Sequence, residues 1–478
     1  MAADAIVPKR TQLLYGYGSA AFGVKDNGFS YFLLIFYNQV LGLSPALASL
    51  VLMTSLVVDA ITDPAIGYAS DNWRSKLGRR HPFLYAAVVP VAIFYFMIWL
   101  PPTGLGETGL FFYLLLCTIA VRISISVYEI PSTALIGELT ADYDERTSML
   151  GYRYFFGWCG GLAMSCIALL LVFRPTREHP IGILNPDGYG IYGAIAVVLI
   201  VASMLISSLG TQRAARAFAL PPARKLRWRQ VPREVFETFR DRSFLPIFLA
   251  SIFLFLIVGL TSALFFYVAT FFWGLAASEI ALFPIVNFAS AGAALIFAPR
   301  FARRLDKKKA AIRLMVFALL WSPIPILARL LDYFPENGDP WLVPLLIGHA
   351  AIDTMVGISV GILISSMTAD LVESSEIRTG RRSEGLFFAS RSFTQKTMSG
   401  LGVFVAGLLL EFIGFPQNSG AGVSPYTVDA LGFLIVPIVL ALYGCALLCV
   451  TRYRIDRGQH EANLAVLATK RDVSDGRA

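Results

Sequence analysis

Asp59 and Asp63 stand four residues apart in "VVDAITDPAIG", residues 57–67. A helix stacks residues at that spacing on one face. The flanking chain is apolar from about Ala46 onward. Two like charges so placed repel each other. In a low-dielectric setting they keep a proton or hold a cation between them. Hard cations take oxygen ligands, so Na⁺, Li⁺ or H⁺ is the expected occupant. Thr62, within the pair, and Ser126, in "SVYEIPSTALIGEL", bring neutral hydroxyl oxygens.

Other ionisable residues also fall within apolar runs: Lys25, Asp26, Arg122, Glu129, Arg153, Asp353, Arg391 and Lys396. A charge at mid-membrane costs at least about 2.5–3.5 kcal/mol on insertion scales and commonly lines an ion or substrate path. Each also has a plainer role open to it. Lys25 neutralises Asp26 as a structural pair, and Arg153 and Arg391 snorkel from span ends. Arg122 and Glu129, two helical turns apart, pair with neighbours. Pro131, just beyond Glu129, removes a backbone hydrogen bond and predicts a kink.

The elements that must position these groups are membrane helices. The chain has 478 residues, 56% of them hydrophobic and 15% charged. Soluble domains average about 45–50% apolar, and apolar runs here repeatedly reach the roughly 20 residues that span a bilayer. Twelve spans are expected, at 12–41, 45–70, 83–100, 108–138, 148–173, 187–209, 244–273, 278–299, 310–331, 341–368, 386–414 and 427–451. The fold class is therefore an all-α membrane protein. The net charge of +8 collects in alternate connections, 71–82, 210–243 and 300–309. That is the positive-inside pattern, with both termini cytoplasmic, rather than a nucleic-acid surface. The five cysteines form no CxxC pair and no cluster with the four histidines, which leaves no basis for a metal centre or disulfides.

The long basic segment follows span six, dividing the chain into a six-helix bundle at 1–209, a cytoplasmic loop at 210–243, a second bundle at 244–452 and a tail at 453–478. "SDNWRSKLGRR" after span two is echoed by "PRFARRLDKKK" after span eight. "GELTADYDERTSMLGYR" after span four is echoed by "TADLVESSEIRTGRRSEG" after span ten. Two related bundles of six are the major facilitator architecture. No GxxxxGK[ST] motif is present. Uphill movement would then draw on an ion gradient, and no catalysis or cofactor is expected.

"DAITDPAIGYASDNWRSKLGRRHPF", "YEIPSTALIGELTADYDER", "YRYFF" and "TQKTMSG" resemble the glycoside–pentoside–hexuronide:cation symporters, the melibiose permease-like branch of the major facilitator superfamily. The animal sodium-dependent lysophospholipid symporters share the DAxxDP segment. The resemblance implies that Asp59 and Asp63 hold the cation, aided by Thr62 and Ser126. It implies that Glu129, Arg153 and Lys396 serve the substrate, Lys396 joining the two halves. Glu129 stands where the melibiose carrier has the shorter Asp, and Thr133 where it has an aromatic ring. Lys25 and Asp26 lie nearly one turn displaced from that carrier's pattern, leaving Asp26 open as a substrate ligand.

The expected activity is symport of a small molecule, a sugar, glycoside or uronide, with Na⁺ or H⁺ by alternating access. The alternative is a Na⁺-coupled lysolipid or amphiphile symporter of the same fold. Asp71, Arg79, Arg80, Glu145, Arg146, Glu376 and Arg378 are expected gate contacts, individually weak enough to open. A monomer in a bacterial inner membrane, touching lipid and no nucleic acid, completes the expectation.

Overall fold

The computed structural model describes residues 7–140, 143–216, 244–379, 384–417 and 422–453. All regular structure among them is helical. Eleven helices among the described residues are long and apolar enough to cross a membrane. We number them spans 2 to 12: Pro45–Asn72, His81–Trp99, Glu107–Ala134, Ser148–Val172, Pro186–Ala215, Leu245–Phe272, Ala277–Ala302, Lys307–Leu330, Leu342–Thr368, Phe393–Phe412 and Pro425–Thr451. Of the expected middle loop, 217–243 lies outside the described residues, as does the tail from 454.

Span 1 is built from pieces, which is why it is not a twelfth uninterrupted helix. Lys9–Tyr17 and Ala20–Asn27 are α-helical, Gly28–Phe32 is a π-turn, and Leu33–Ile35 leads into a second π-turn at Phe36–Val40. Gly16, Gly18, Gly23 and Gly28 fall along it, and glycine is a poor helix former. What glycine provides is proximity. A Cβ on Gly23 would lie 1.9 Å from the Gly157 carbonyl oxygen of span 5. One on Gly160 would lie 2.6 Å from the Ala20 carbonyl. Ser19-xxx-Gly23 thus packs backbone to backbone against Gly157-xxx-Gly161, the small-residue contact on which membrane helices rely.

The chain divides into two compact units. Unit 1 comprises Met1–Leu226, Leu260–Pro284 and Val403–Val428; unit 2 comprises Arg227–Gly259, Ile285–Gly402 and Asp429–Ala478. Unit 1 has an aromatic core at one end of spans 1, 3, 5 and 6. Phe36 stacks on Tyr189 with centroids 4.0 Å apart, and Trp99 meets Tyr192 edge-on at 4.8 Å. The buried hydroxyls find partners: Tyr37 donates to the Ile98 carbonyl and Tyr192 to Asn27. Within the same unit Tyr267 donates to Asn38, Gln39 to the Pro416 carbonyl, and Ser44 to Glu411.

Spans 1 and 7 end alike. A π-turn, Phe36–Val40 or Val268–Phe272, leads to a glycine with positive φ, Gly42 at 75° or Gly274 at 61°. Leu43 N then donates back to Tyr37 O, and Leu275 N to Ala269 O. Only glycine adopts that backbone freely. Span 2 starts immediately after, with Ser44 as N-cap to Leu47 N and Pro45 in the first turn.

Unit 2 has an aliphatic core of Ile247, Leu314, Met315, Val356, Val360, Ile364 and Val450. Span 9 breaks between Lys307–Trp321 and Ile324–Leu330. Pro325 has no N–H for the Trp321 carbonyl. His349 Nε2 supplies the missing donor at 2.9 Å, and its ring stacks on Trp321. Asp353 follows one turn later in the same helix.

Replacing Gly23 by alanine should lower stability by about 1–3 kcal/mol, the usual range for overpacking. Gly292→Ala, where a Cβ meets nothing within 4 Å, should be neutral or slightly stabilising. Thermal unfolding of the two purified variants measures the contrast.

Candidate functional site

Spans 2 and 4 of unit 1 bring two carboxylates and a hydroxyl together. Asp59 is 2% exposed and Ser126 fully buried. Ser126 Oγ lies 2.5 Å from Asp59 Oδ1 and 2.7 Å from Asp63 Oδ1. A hydroxyl has one proton to donate, so it cannot satisfy two carboxylates at once. The i,i+4 spacing aligns the carboxylates, and the Ser44 cap with Pro45 sets where their helix begins. Thr62 is oriented differently: its hydroxyl donates to the Asp59 backbone carbonyl of its own helix.

Arg122 borders this cluster. Its Nη1 is 3.7 Å from Asp59 Oδ2, and its guanidinium lies over the Phe29 ring at 4.6 Å. The sequence places Arg122 among the in-span charges, with either a path-lining role or a structural pairing open to it, and does not link it to Asp59. The place of Arg122 one turn before Ser126 was the available signal, since i and i+4 residues share a face.

A second polar cluster joins spans 1, 4 and 5. Arg153 donates to Thr133 Oγ1 at 2.8 Å and to Ser132 Oγ at 3.3 Å. Its guanidinium lies over Tyr15 at 5.2 Å and Phe22 at 5.5 Å, and Tyr15 donates to the Thr133 carbonyl. Arg153 is thus held at several points rather than free in solvent. Tyr15, Phe22 and Ser132 carried no sequence signal, because their roles depend on a crossing between helices. Glu129 is half-buried on span 4, between the two clusters in sequence. Its helix runs through Pro131 and breaks only at Leu135, four residues on.

Lys25 and Asp26 form an ion pair of 2.7 Å in which Lys25 is buried while the Asp26 side chain is 58% exposed. A carboxylate in the middle of a span is costly against lipid at that exposure. Lys396 is half-buried on the Glu384–Phe412 helix, in unit 2.

Glu138 was missed from sequence, yet it organises the connection after span 2. Its Oε1 accepts from Arg79 Nη2 and Arg80 Nε, both at 2.6 Å, and from Arg79 Nε at 2.9 Å. Arg80 also pairs with Asp71 Oδ1 at 2.7 Å. Glu145 accepts from Val7 N and Thr140 Oγ1, and Arg146 donates to the Thr140 carbonyl. The side chains of Glu376 and Arg378 lie outside the described residues. Glu138→Gln leaves two buried arginines short of their carboxylate, and breaking such a group costs about 3–5 kcal/mol. Thermal unfolding of that variant should show a loss far larger than Asp71→Asn, whose carboxylate is partly exposed.

A sequence profile described as MFS/sugar transport protein matches residues 14–457. An uncharacterised symporter of Synechocystis sp. is 27% identical, over 94% of this chain and 95% of its own. The isoprimeverose transporter of Lactiplantibacillus pentosus is 23% identical, over 95% and 90%. The sodium-dependent lysophosphatidylcholine symporter 1 of Gallus gallus is 23% identical, over 97% and 90%. Among solved structures, a bacterial homologue of the human lysosomal transporter Spinster aligns with a TM-score of 0.66 at 14% identity, covering 94% of this chain and 95% of the other. That likeness establishes the fold.

Proposed function

Because the chain belongs to the MFS/sugar transport protein family, we propose that it is a secondary active symporter coupling Na⁺ or H⁺ entry to uptake of a sugar, glycoside or uronide. The observation that carries this reading is the convergence of Asp59, Asp63 and Ser126 oxygens in the buried contact of spans 2 and 4. A relative that transports the glycoside isoprimeverose supports the substrate class.

The cation sits among the three oxygens and is carried as cargo. Filling the site removes the repulsion between two carboxylates held one turn apart, which alters the relative stability of spans 2 and 4. Coupling is then a reciprocal free energy, so the substrate tightens cation binding by the factor that the cation tightens substrate binding. Arg153, braced by Thr133 and Ser132, presents donors to sugar oxygens, and Glu129 accepts from sugar hydroxyls. Asp26, exposed beside the buried Lys25, is a further carboxylate offered to the substrate. The Arg79–Arg80–Glu138–Asp71 group stiffens the cytoplasmic ends of spans 2 to 4. The protein works as a monomer in a bacterial inner membrane with both termini in the cytoplasm, moving cargo by alternating access.

A lysolipid or other amphiphile is the second reading. It is favoured by the lysophosphatidylcholine symporter relative and by Thr133, which offers a hydroxyl and no ring for a sugar face.

Asp59→Asn and Asp63→Asn should each abolish cation-dependent uptake while the protein still folds; retained coupling in both would sink the cation site. Thermal stabilisation against a panel of sugars and lysolipids, each with and without Na⁺ and at two pH values, decides the substrate class. Cation-dependent stabilisation by lysolipids alone would replace the sugar reading.

A further inference from the structure

We infer that Arg122 is a tethered cation that holds Asp59 while the coupling ion is absent and yields it when the ion binds. This rests on Asp59 and Asp63 forming the cation site.

Arg79, Arg80 and Arg122, all buried in unit 1, differ in how they meet a carboxylate. Arg79 and Arg80 close on Glu138 with N–H···O contacts of 2.6–2.9 Å, the length of charge-assisted bonds. Arg122 does not close in this way. Its nearest approach to Asp59 is 3.7 Å, outside hydrogen-bonding distance. Its Nε is buried with no hydrogen-bond partner, although the residue is only 5% exposed. A guanidinium keeps its charge at any pH a protein meets, so Arg122 adds one positive charge to the site without locking into it. Its guanidinium lies over the Phe29 ring at 4.6 Å, a contact without the fixed direction of a hydrogen bond.

The two oxygens of Asp59 face different partners. Oδ1 meets Ser126, the side on which the coupling ion is held, and Oδ2 meets Arg122. Ion and guanidinium therefore draw on one carboxylate charge from opposite oxygens, and each weakens the hold of the other. Arg122 thus tunes how tightly the site holds its ion.

Na⁺ titration of purified protein, read by thermal stabilisation, tests this. With Arg122→Gln the competitor is gone. Na⁺ should stabilise the variant at roughly tenfold lower concentration than the native protein, or begin to do so if the native protein gives no response, as removal of a unit charge at that distance implies. A Na⁺ response equal to or weaker than the native one would overturn the proposal and leave Arg122 as scaffold. If Arg122→Gln does not fold, Arg122→Met, a long unbranched side chain without the charge, is read in the same way. Asp59→Asn in the same assay separates the two claims. If it keeps a native Na⁺ response, the carboxylate site itself is wrong. If it loses the response while Arg122→Gln gains nothing, only the role of Arg122 fails.

Discussion

Every charge carried into the hydrocarbon region has to be answered by another group inside the protein, because water is not there to do it. This constraint orders unit 1. Lys25 answers Asp26, Arg122 stands beside Asp59, and Arg153 is taken up by two hydroxyls and two rings, while just beyond the spans Glu138 serves a pair of arginines. The answers differ in completeness. Glu138 is closed by three short contacts and reads as permanent structure. Asp59 and Asp63 both meet the Ser126 hydroxyl, and the Arg122 guanidinium stands 3.7 Å from Asp59.

Unsatisfied backbone obeys the same constraint. Where Pro325 withholds an N–H, His349 provides one, and the break in span 9 survives. Span 1 could not approach span 5 so closely with side chains at Gly23 or Gly160. That approach carries Tyr15 and Phe22 to the guanidinium of Arg153. The glycines of span 1 therefore weaken it as an isolated helix and fix it as a packed one, and its polar cluster depends on the second effect.

The helical fold was legible because twenty-residue apolar runs admit little else, and the observed spans keep close to the expected ones. The carboxylate pair and Ser126 were legible because i,i+4 spacing is local and the odd charge in an apolar run is conspicuous. The π-turns of span 1 were not, since nothing in composition separates them from α-helix until neighbouring helices press against them. Arg122 and Glu138 were readable as charges but not as partners. Arg122 shares a turn with Ser126, yet its relation to Asp59 needs the crossing of spans 2 and 4. Glu138 lies 59 residues from Arg79, and no pattern within one segment links them.

The wide turns in span 1 also have a bearing on phase. A π-turn accommodates an extra residue, and each residue of α-helix rotates the chain by about 100°. The segments 28–32 and 36–40 act as angular shims between the polar lower part of the span, with Lys25 and Asp26, and the aromatic upper part ending at Gly42. Loss of one residue from either shim would leave both parts helical and apolar enough to insert, but would aim them at the wrong neighbours. Insertion and deletion in this segment are thus constrained by azimuth rather than by hydrophobicity, although a hydropathy profile would register almost no change.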